Sequence, residues 1–277
     1  MDFFTITNLP LVQRSMMINS RHILWLCGLG CWLLSAAQVV GSELGQLPDA
    51  IIKIKPSIVA IGTFQKTRRP PSVFRGTGFV IGDGRQIATN AHVLPDKLDR
   101  EKNEMLAVFS ANGSEVEIRQ AIKIAEDRDY DLAILEINGP PLTAVTLGDS
   151  NRVKEGETYA FTGFPIGMVL GLHPVTHRGI ISAVTPVVIP QLSAQQLEKK
   201  TLARLMAPYD IFQLDATAYP GNSGSPLYQL DSAQVIGILN KVFVQQSKET
   251  LIQQPSGISY AIPSKYLIAL LQKIGKE

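Results

Sequence analysis

Pro220-Gly221-Asn222-Ser223-Gly224-Ser225-Pro226 is the stretch on which the reading of this chain turns. Glycines stand close on both sides of a serine. Glycine adopts the positive-φ backbone that tight turns need, and proline fixes its own φ. A serine held between two such turns projects its hydroxyl, and flanking backbone N–H groups can converge beside it. Acyl transfer at a serine needs that geometry, because the oxyanion it creates must meet fixed donors. Alone, such a string describes an ordinary turn; two upstream segments change its meaning.

The first is Ile87-Ala88-Thr89-Asn90-Ala91-His92-Val93-Leu94, which follows the strand-like run Arg75 to Ile81 and the turn at Asp83-Gly84. The second is Asp129-Tyr130-Asp131-Leu132-Ala133-Ile134-Leu135-Glu136-Ile137. Asp131 opens a nearly continuous apolar run that reads as a buried strand. Asp129 is the rival carboxylate and lies further from that strand. A base, an acid to orient it and a nucleophile thus occur in the order His92, Asp131, Ser223.

In that order and with these surroundings the sequence resembles the chymotrypsin-like serine proteases, and among them the HtrA/DegP family. Gly76-Thr77-Gly78-Phe79-Val80-Ile81 with Thr89-Asn90-Ala91-His92-Val93 is similar to the family's histidine segment. Asp131-Leu132-Ala133-Ile134-Leu135 is similar to its aspartate segment, and Asp215-Ala216 with Pro220 to Gly224 to its serine segment. Leu147 to Ser150, Gly163 to Gly167 and Tyr260 to Ser264 resemble further landmarks, so the likeness covers roughly residues 45–270. It implies an all-β fold of two six-stranded antiparallel β-barrels with the site between them. The first barrel, about 48–150, would carry His92 and Asp131, and the second, about 151–277, would carry Ser223. Family members usually continue into a PDZ domain; this chain of 277 residues is read as a protease domain, 38–277, without one.

Composition fits that reading. A net charge of +2 gives no pointer to nucleic acid or to an acidic substrate. Arg14, Arg21 and His22 precede the apolar run Ile23 to Leu34, and Ser35-Ala36-Ala37 follows. A positive region, an apolar region and small residues form an export signal over residues 1–37, or an uncleaved membrane anchor. The expected location is therefore outside the cytoplasm, periplasmic or secreted, or at the membrane if the leader stays. Cys27 and Cys31 both lie in this segment, so removing it leaves no cysteine and no disulfide.

Short strand signals dominate the remainder. Ile52-Lys53-Ile54 and Glu115 to Arg119 alternate with period two, and Ala107 to Phe109, Ile180 to Val184 and Val235 to Leu239 are apolar runs between turns. Two helices are expected besides. Ser193-Ala194-Gln195-Gln196 reads as a capping box opening an inserted helix to about Met206, where HtrA-like proteins usually have an activation-sensing loop. A C-terminal helix follows Pro263-Ser264, with Tyr266, Leu267, Leu270, Leu271 and Ile274 on the face expected to pack on the second barrel.

The resemblance implies catalysis by Ser223, His92 and Asp131, with an oxyanion hole at Gly221, Asn222 and Ser223 formed chiefly by the N–H groups of Gly221 and Ser223. Asn222 carries no charge, so activation need not await an ion pair with a freed α-amino group. Ser225 departs from the family's usual glycine, which would matter if its φ were positive. The specificity pocket is expected between Thr217, Ala218, Tyr219 and the strand region of Leu239, Asn240 and Lys241. Thr217 stands where an acid would select basic residues, so cleavage after small or medium aliphatic residues is expected. His173 and His177 flank Pro174 to Thr176 without a supporting ligand cluster, and surface or structural roles are expected for them. The partners are protein or peptide substrates. No cofactor or metal is expected, and the oligomeric state is left open. The alternative is a catalytically silent peptide-binding module on the same fold.

Overall fold

The computed structural model describes residues 46–112, 115–165, 171–187, 208–240 and 257–275. A helix, α1, covers 46–54. Six strands follow: β1 Ile58–Phe64, β2 Ser72–Ile81, β3 Gln86–Thr89, β4 Met105–Asn112, β5 Glu115–Asp127 and β6 Leu132–Ile137. Six more complete the sheets: β7 Thr158–Gly163, β8 Val175–Pro186, β9 Asp210–Asp215, β10 Pro226–Gln229, β11 Val235–Asn240 and β12 Ile258–Pro263. Helix α2, Ser264–Ile274, comes last.

Each set of six closes into an antiparallel barrel. The first runs β1-β2-β3-β6-β5-β4, and the second repeats that order as β7-β8-β9-β12-β11-β10. The fold expected from the resemblance is the fold found.

The apolar runs are continuous because both faces of these strands are covered. Along β6, Leu135 and Ile137 join Val59, Ile61, Val80 and Ile87 inside the first barrel. Leu132 and Ile134 point the other way, into a seam shared with Ala160, Tyr228, Ile238 and Ile262 of the second barrel. Phe161, Phe212, Leu214, Leu227 and Leu239 fill the second barrel. A strand buried on both sides shows no period-two alternation. Glu115 to Arg119, at the exposed start of β5, does show it: Val116 and Ile118 face outward, while Arg119 is buried.

Ile52-Lys53-Ile54 is helical, not a strand. Ala50 and Ile54, one helical turn apart, are buried in the seam, and Ile52 is 71% exposed. Three residues of alternation cannot separate period 2 from period 3.6, and the i, i+4 pair decides it. Pro56 then lies in a 3-10 turn over Lys55–Ser57. Helix α2 also reaches further than expected. Leu267 and Leu270 are buried in the seam, Tyr266 stacks on Tyr130 with centroids 4.3 Å apart, and Lys273 pairs with Asp127 of β5 at 3.4 Å. It therefore braces both barrels. The expected 193–206 helix, the leader and Lys241 lie outside the described residues. Among the described residues no helix is long and apolar enough to cross a membrane.

Candidate active site

The histidine turn begins where β3 ends. Residues Ala91–Val93 form one 3-10 turn, entered from Asn90 in an extended conformation. Two groups dock this turn onto the backbone of Asp131: the Ala91 N–H and the Asn90 amide each donate to the Asp131 carbonyl at 3.1 Å. Asp131 itself has φ 54°. Left-handed backbone is uncommon outside glycine, but aspartate is among the residues that tolerate it. The bend aims the carboxylate back at the turn. Asp131 Oδ1 accepts from the His92 backbone N–H at 2.9 Å, and Oδ2 faces His92 Nδ1 at 2.6 Å.

A third donor comes from the other barrel, where Asn240 Nδ2 reaches Asp131 Oδ2 at 2.8 Å. An ionised carboxylate only accepts, so Nδ1 must carry the proton that lies between them. In the neutral ring Nε2 then keeps a lone pair and can act as a base. Asp129, the rival carboxylate, is exposed, and it is Asp131 that meets the histidine.

The serine segment is two consecutive turns. The Asn222 N–H donates to Tyr219 O at 3.0 Å, with Pro220 and Gly221 between them and Gly221 at φ 100°. The Ser225 N–H donates to Asn222 O at 3.0 Å, with Ser223 and Gly224 between them and Gly224 at φ 86°. A positive φ only at the third residue marks a type II turn, which calls for glycine there and favours proline just before it. Ser223 thus occupies the second position of the second turn and is 5% exposed. Because the Asn222 N–H closes the first turn, it is committed internally. Any share of Asn222 in the expected oxyanion hole is therefore to shape the turn between Gly221 and Ser223, and its side chain is fully buried. Ser225 is not among the positive-φ residues, so serine fits there without backbone strain.

Thr77 of β2 holds this loop against the first barrel. Its N–H donates to Ser223 O at 2.9 Å. Its hydroxyl donates to Gly221 O at 2.7 Å and accepts from the Phe164 N–H at 3.0 Å. Its carbonyl accepts from Thr89 Oγ1 of β3 at 2.8 Å. Next to it, a Cβ on Gly76 would lie 2.9 Å from Ser223 O and 2.7 Å from Val93 Cγ2. The bare glycine lets the serine loop and the histidine turn close on one point of β2. Sequence reasoning singled out neither Thr77 nor the Asn240 link; the hint was a threonine between two strand glycines.

Thr217, Ala218 and Tyr219 are half-buried on the segment from β9 to Pro220. Leu239 points into the interior of the second barrel, with Ala218 against the same cluster. Any part that β11 plays in the expected pocket wall therefore falls to its backbone rather than to the side chains of Leu239 and Asn240. Leu239 packs in the core, and the Asn240 side chain goes to Asp131, because alternate residues of a strand project to opposite faces. His177, on β8, stacks on Phe161 with centroids 5.0 Å apart, and burial pushes its imidazole below the ordinary value.

A sequence profile described as Trypsin-like peptidase domain matches residues 76–238, from ahead of the histidine through the serine turns. The chain belongs to the trypsin-like peptidase family. This trypsin-like peptidase is 34% identical over 189 residues to a "probable periplasmic serine endoprotease DegP-like" of Halomonas elongata, covering 68% of the chain and 32% of that protein. It is 32% identical over 222 residues to "Serine protease HTRA1A" of Danio rerio, covering 79% of the chain and 39% of that protein. The chain spans about a third of the length of these curated relatives. Among solved structures, "HtrA-type protease AlgW with tripeptide" superposes with a TM-score of 0.58 at 26% identity, over 82% of this peptidase and 63% of that chain.

Proposed function

We propose that this chain is a serine endopeptidase that hydrolyses peptide bonds in exported, unfolded or peptide-like protein segments. The observation that carries the proposal is the fixing of His92 Nδ1 by the Asp131 carboxylate, 2.6 Å away. Membership in the trypsin-like peptidase family and the named endoproteases among its relatives support it.

In this reading His92 Nε2 takes the Ser223 hydroxyl proton as Oγ attacks the substrate carbonyl. The tetrahedral oxyanion is met by the N–H groups of Gly221 and Ser223. Removing one such donor typically costs about 100- to 1000-fold in rate. His92 then passes the proton to the departing amine, and the C–N bond breaks. Water, deprotonated by the same nitrogen, hydrolyses the acyl-enzyme and regenerates Ser223. The Asp131 carboxylate holds the ring and stabilises the imidazolium. With neutral Thr217 in the pocket wall, basic side chains gain no counter-charge there. The periplasmic naming of the DegP-like relatives supports an exported location.

The test is mass spectrometry after a fluorophosphonate serine-hydrolase probe, with Ser223→Ala alongside. A stoichiometric adduct on Ser223, absent from the variant, is expected. No adduct on folded wild-type protein would replace this reading with that of a silent peptide-binding module.

A further inference from the structure

Strand β8 carries a histidine for which the mechanism above has no use. His177 is the register partner of Phe161, and cross-strand partners share one face of a sheet. That face is the interior of the second barrel, where Phe161 packs. Tyr219, four residues before Ser223, lies with its ring 6.0 Å from the imidazole. Two residues along β8, a Cβ on Gly179 would sit 2.7 Å from Ala216 Cβ and 2.6 Å from Asp215 O. β8 therefore runs directly behind the segment that leads to the serine and forms one wall of the expected specificity pocket.

Within that setting His177 Nε2 is buried and has no hydrogen-bond partner. Burial is the cause that lowers its pKa, so the ring is neutral at neutral pH. Leaving a buried polar group unpaired costs about 1–3 kcal/mol. Folded proteins pair nearly all such groups, so an exception asks for a reason. Stacking on Phe161 does not supply one, since leucine or phenylalanine would fill the space without the penalty.

We propose that His177 is a specificity-determining residue: its Nε2 hydrogen-bonds an uncharged polar side chain, a carboxamide or a hydroxyl, on the residue whose carbonyl Ser223 attacks. The inference rests on the endopeptidase reading and deepens it. A neutral imidazole nitrogen either donates or accepts, depending on the tautomer. Carboxamides and hydroxyls do both, so either tautomer is matched. A carboxylate can only accept and suits one of the two tautomers, and its charge would be buried beside a neutral ring. An aliphatic side chain would leave the nitrogen unpaired. This replaces the aliphatic preference read from the sequence.

The experiment compares peptides that differ only at the residue before the cleaved bond, in the near-isosteric pairs threonine/valine, asparagine/leucine and glutamine/methionine. The full chain is used as wild type, His177→Leu and His177→Gln. Wild type is expected to favour the polar member of at least one pair by about tenfold or more in kcat/KM. The threonine pair reports a hydroxyl and the other two a carboxamide. His177→Leu should erase the preference, and His177→Gln, which keeps a neutral donor and acceptor, should retain part of it. A wild type that favours the apolar members, or ratios unchanged in His177→Leu, would overturn the proposal. Fluorophosphonate labelling runs in parallel. Ser223 labelled with no polar preference removes only the role of His177, whereas unlabelled wild type removes the endopeptidase reading and this inference with it. Should His177→Leu fail to fold, the wild-type ratios and His177→Gln still decide.

Discussion

Asn240 and Asp131 lie 109 residues apart and in different barrels, yet the Asn240 amide donates to Asp131 Oδ2 at 2.8 Å. That oxygen also faces His92 Nδ1, and Oδ1 takes the His92 backbone N–H. Three donors from two barrels leave the carboxylate one orientation, and the imidazole plane follows it. The hydrogen bond thus makes the histidine's orientation depend on how the barrels meet.

Replacing Asn240 by alanine leaves Oδ2 with the imidazole as its one donor, and only the His92 N–H on Oδ1 still restrains the carboxylate's rotation. Asn240→Ala is expected to lower kcat about tenfold, the effect of removing one hydrogen bond to a charged group. KM for a short peptide should change little, because the amide acts through His92 and touches no substrate. Steady-state kinetics on such a peptide separate the alternatives. A raised KM with kcat intact would mean that the Asn240 side chain acts on substrate binding, at the pocket wall where the sequence reading expects it.

Thr77 predicts a second kinetic effect, from the opposite side of the loop. Its hydroxyl serves Gly221 O and the Phe164 N–H, both backbone groups that valine cannot satisfy. Thr77→Val should destabilise the fold by about 1–3 kcal/mol. It should also reduce kcat well below the melting transition, since the Gly221 peptide belongs to the turn that carries the proposed oxyanion donors. Thr77→Ser keeps the hydroxyl and should recover most of the activity. Thermal melts and kcat on the two variants check this. A valine variant that loses stability but keeps its full kcat would show the threonine to be only structural.

Much of this site was legible in the sequence, for a physical reason. Turn chemistry is local: Pro220-Gly221 and Gly224 announce two turns because few other residues take those backbone angles, and both turns are present. The buried strands were legible as unbroken apolar runs. The short signals failed. Ile52 to Ile54 offered too few residues to fix a period, and a partner one helical turn away, Ala50, settled it as helix. Long-range hydrogen bonds failed as well, since nothing near Asn240 or Thr77 in the chain says which distant carboxylate or carbonyl each will meet. His177 belongs with these. Its neighbours in sequence are ordinary, and nothing in them says that β7 and β8 register it against Phe161.

Ser225 tests the balance between fit and satisfaction. Its backbone is unstrained, but its Oγ is buried without a partner. A Cβ on Gly163 would fall 2.0 Å from that oxygen, so the hydroxyl is packed tightly against β7. Ser225→Ala removes the unpaired hydroxyl and keeps the Cβ, so it should stabilise the protein by about 1 kcal/mol. The melting temperature should rise by a few degrees with kcat unchanged. A fall in melting temperature would mean that the hydroxyl has a partner, such as an internal water.

Glu104 sets a limit on stability in acid. Its Oε1 pairs with Arg68 Nη1 at 2.6 Å, and its Oε2 accepts the Asp99 N–H at 3.0 Å. The backbone hydrogen bond from Asp99 is the largest cause of a carboxyl pKa lowered from 4.5 to about 2, with Arg68 contributing. Arg68 in turn donates to Thr63 O and Pro71 O, each at 3.0 Å, so the pair closes the β1–β2 hairpin onto the 99–104 turn. The folded pKa lies below the unfolded one, so the folded state resists taking up the proton. The stabilisation is present in full above pH 4.5 and is lost as pH falls toward 2. Allowing for solvent screening, it amounts to about 1–2 kcal/mol. Urea titrations of wild type and Glu104→Gln should therefore differ most near neutral pH and converge as the pH falls through that window. A difference that stayed constant down to the bottom of the window would show that Glu104 contributes by packing, with its charge playing no part.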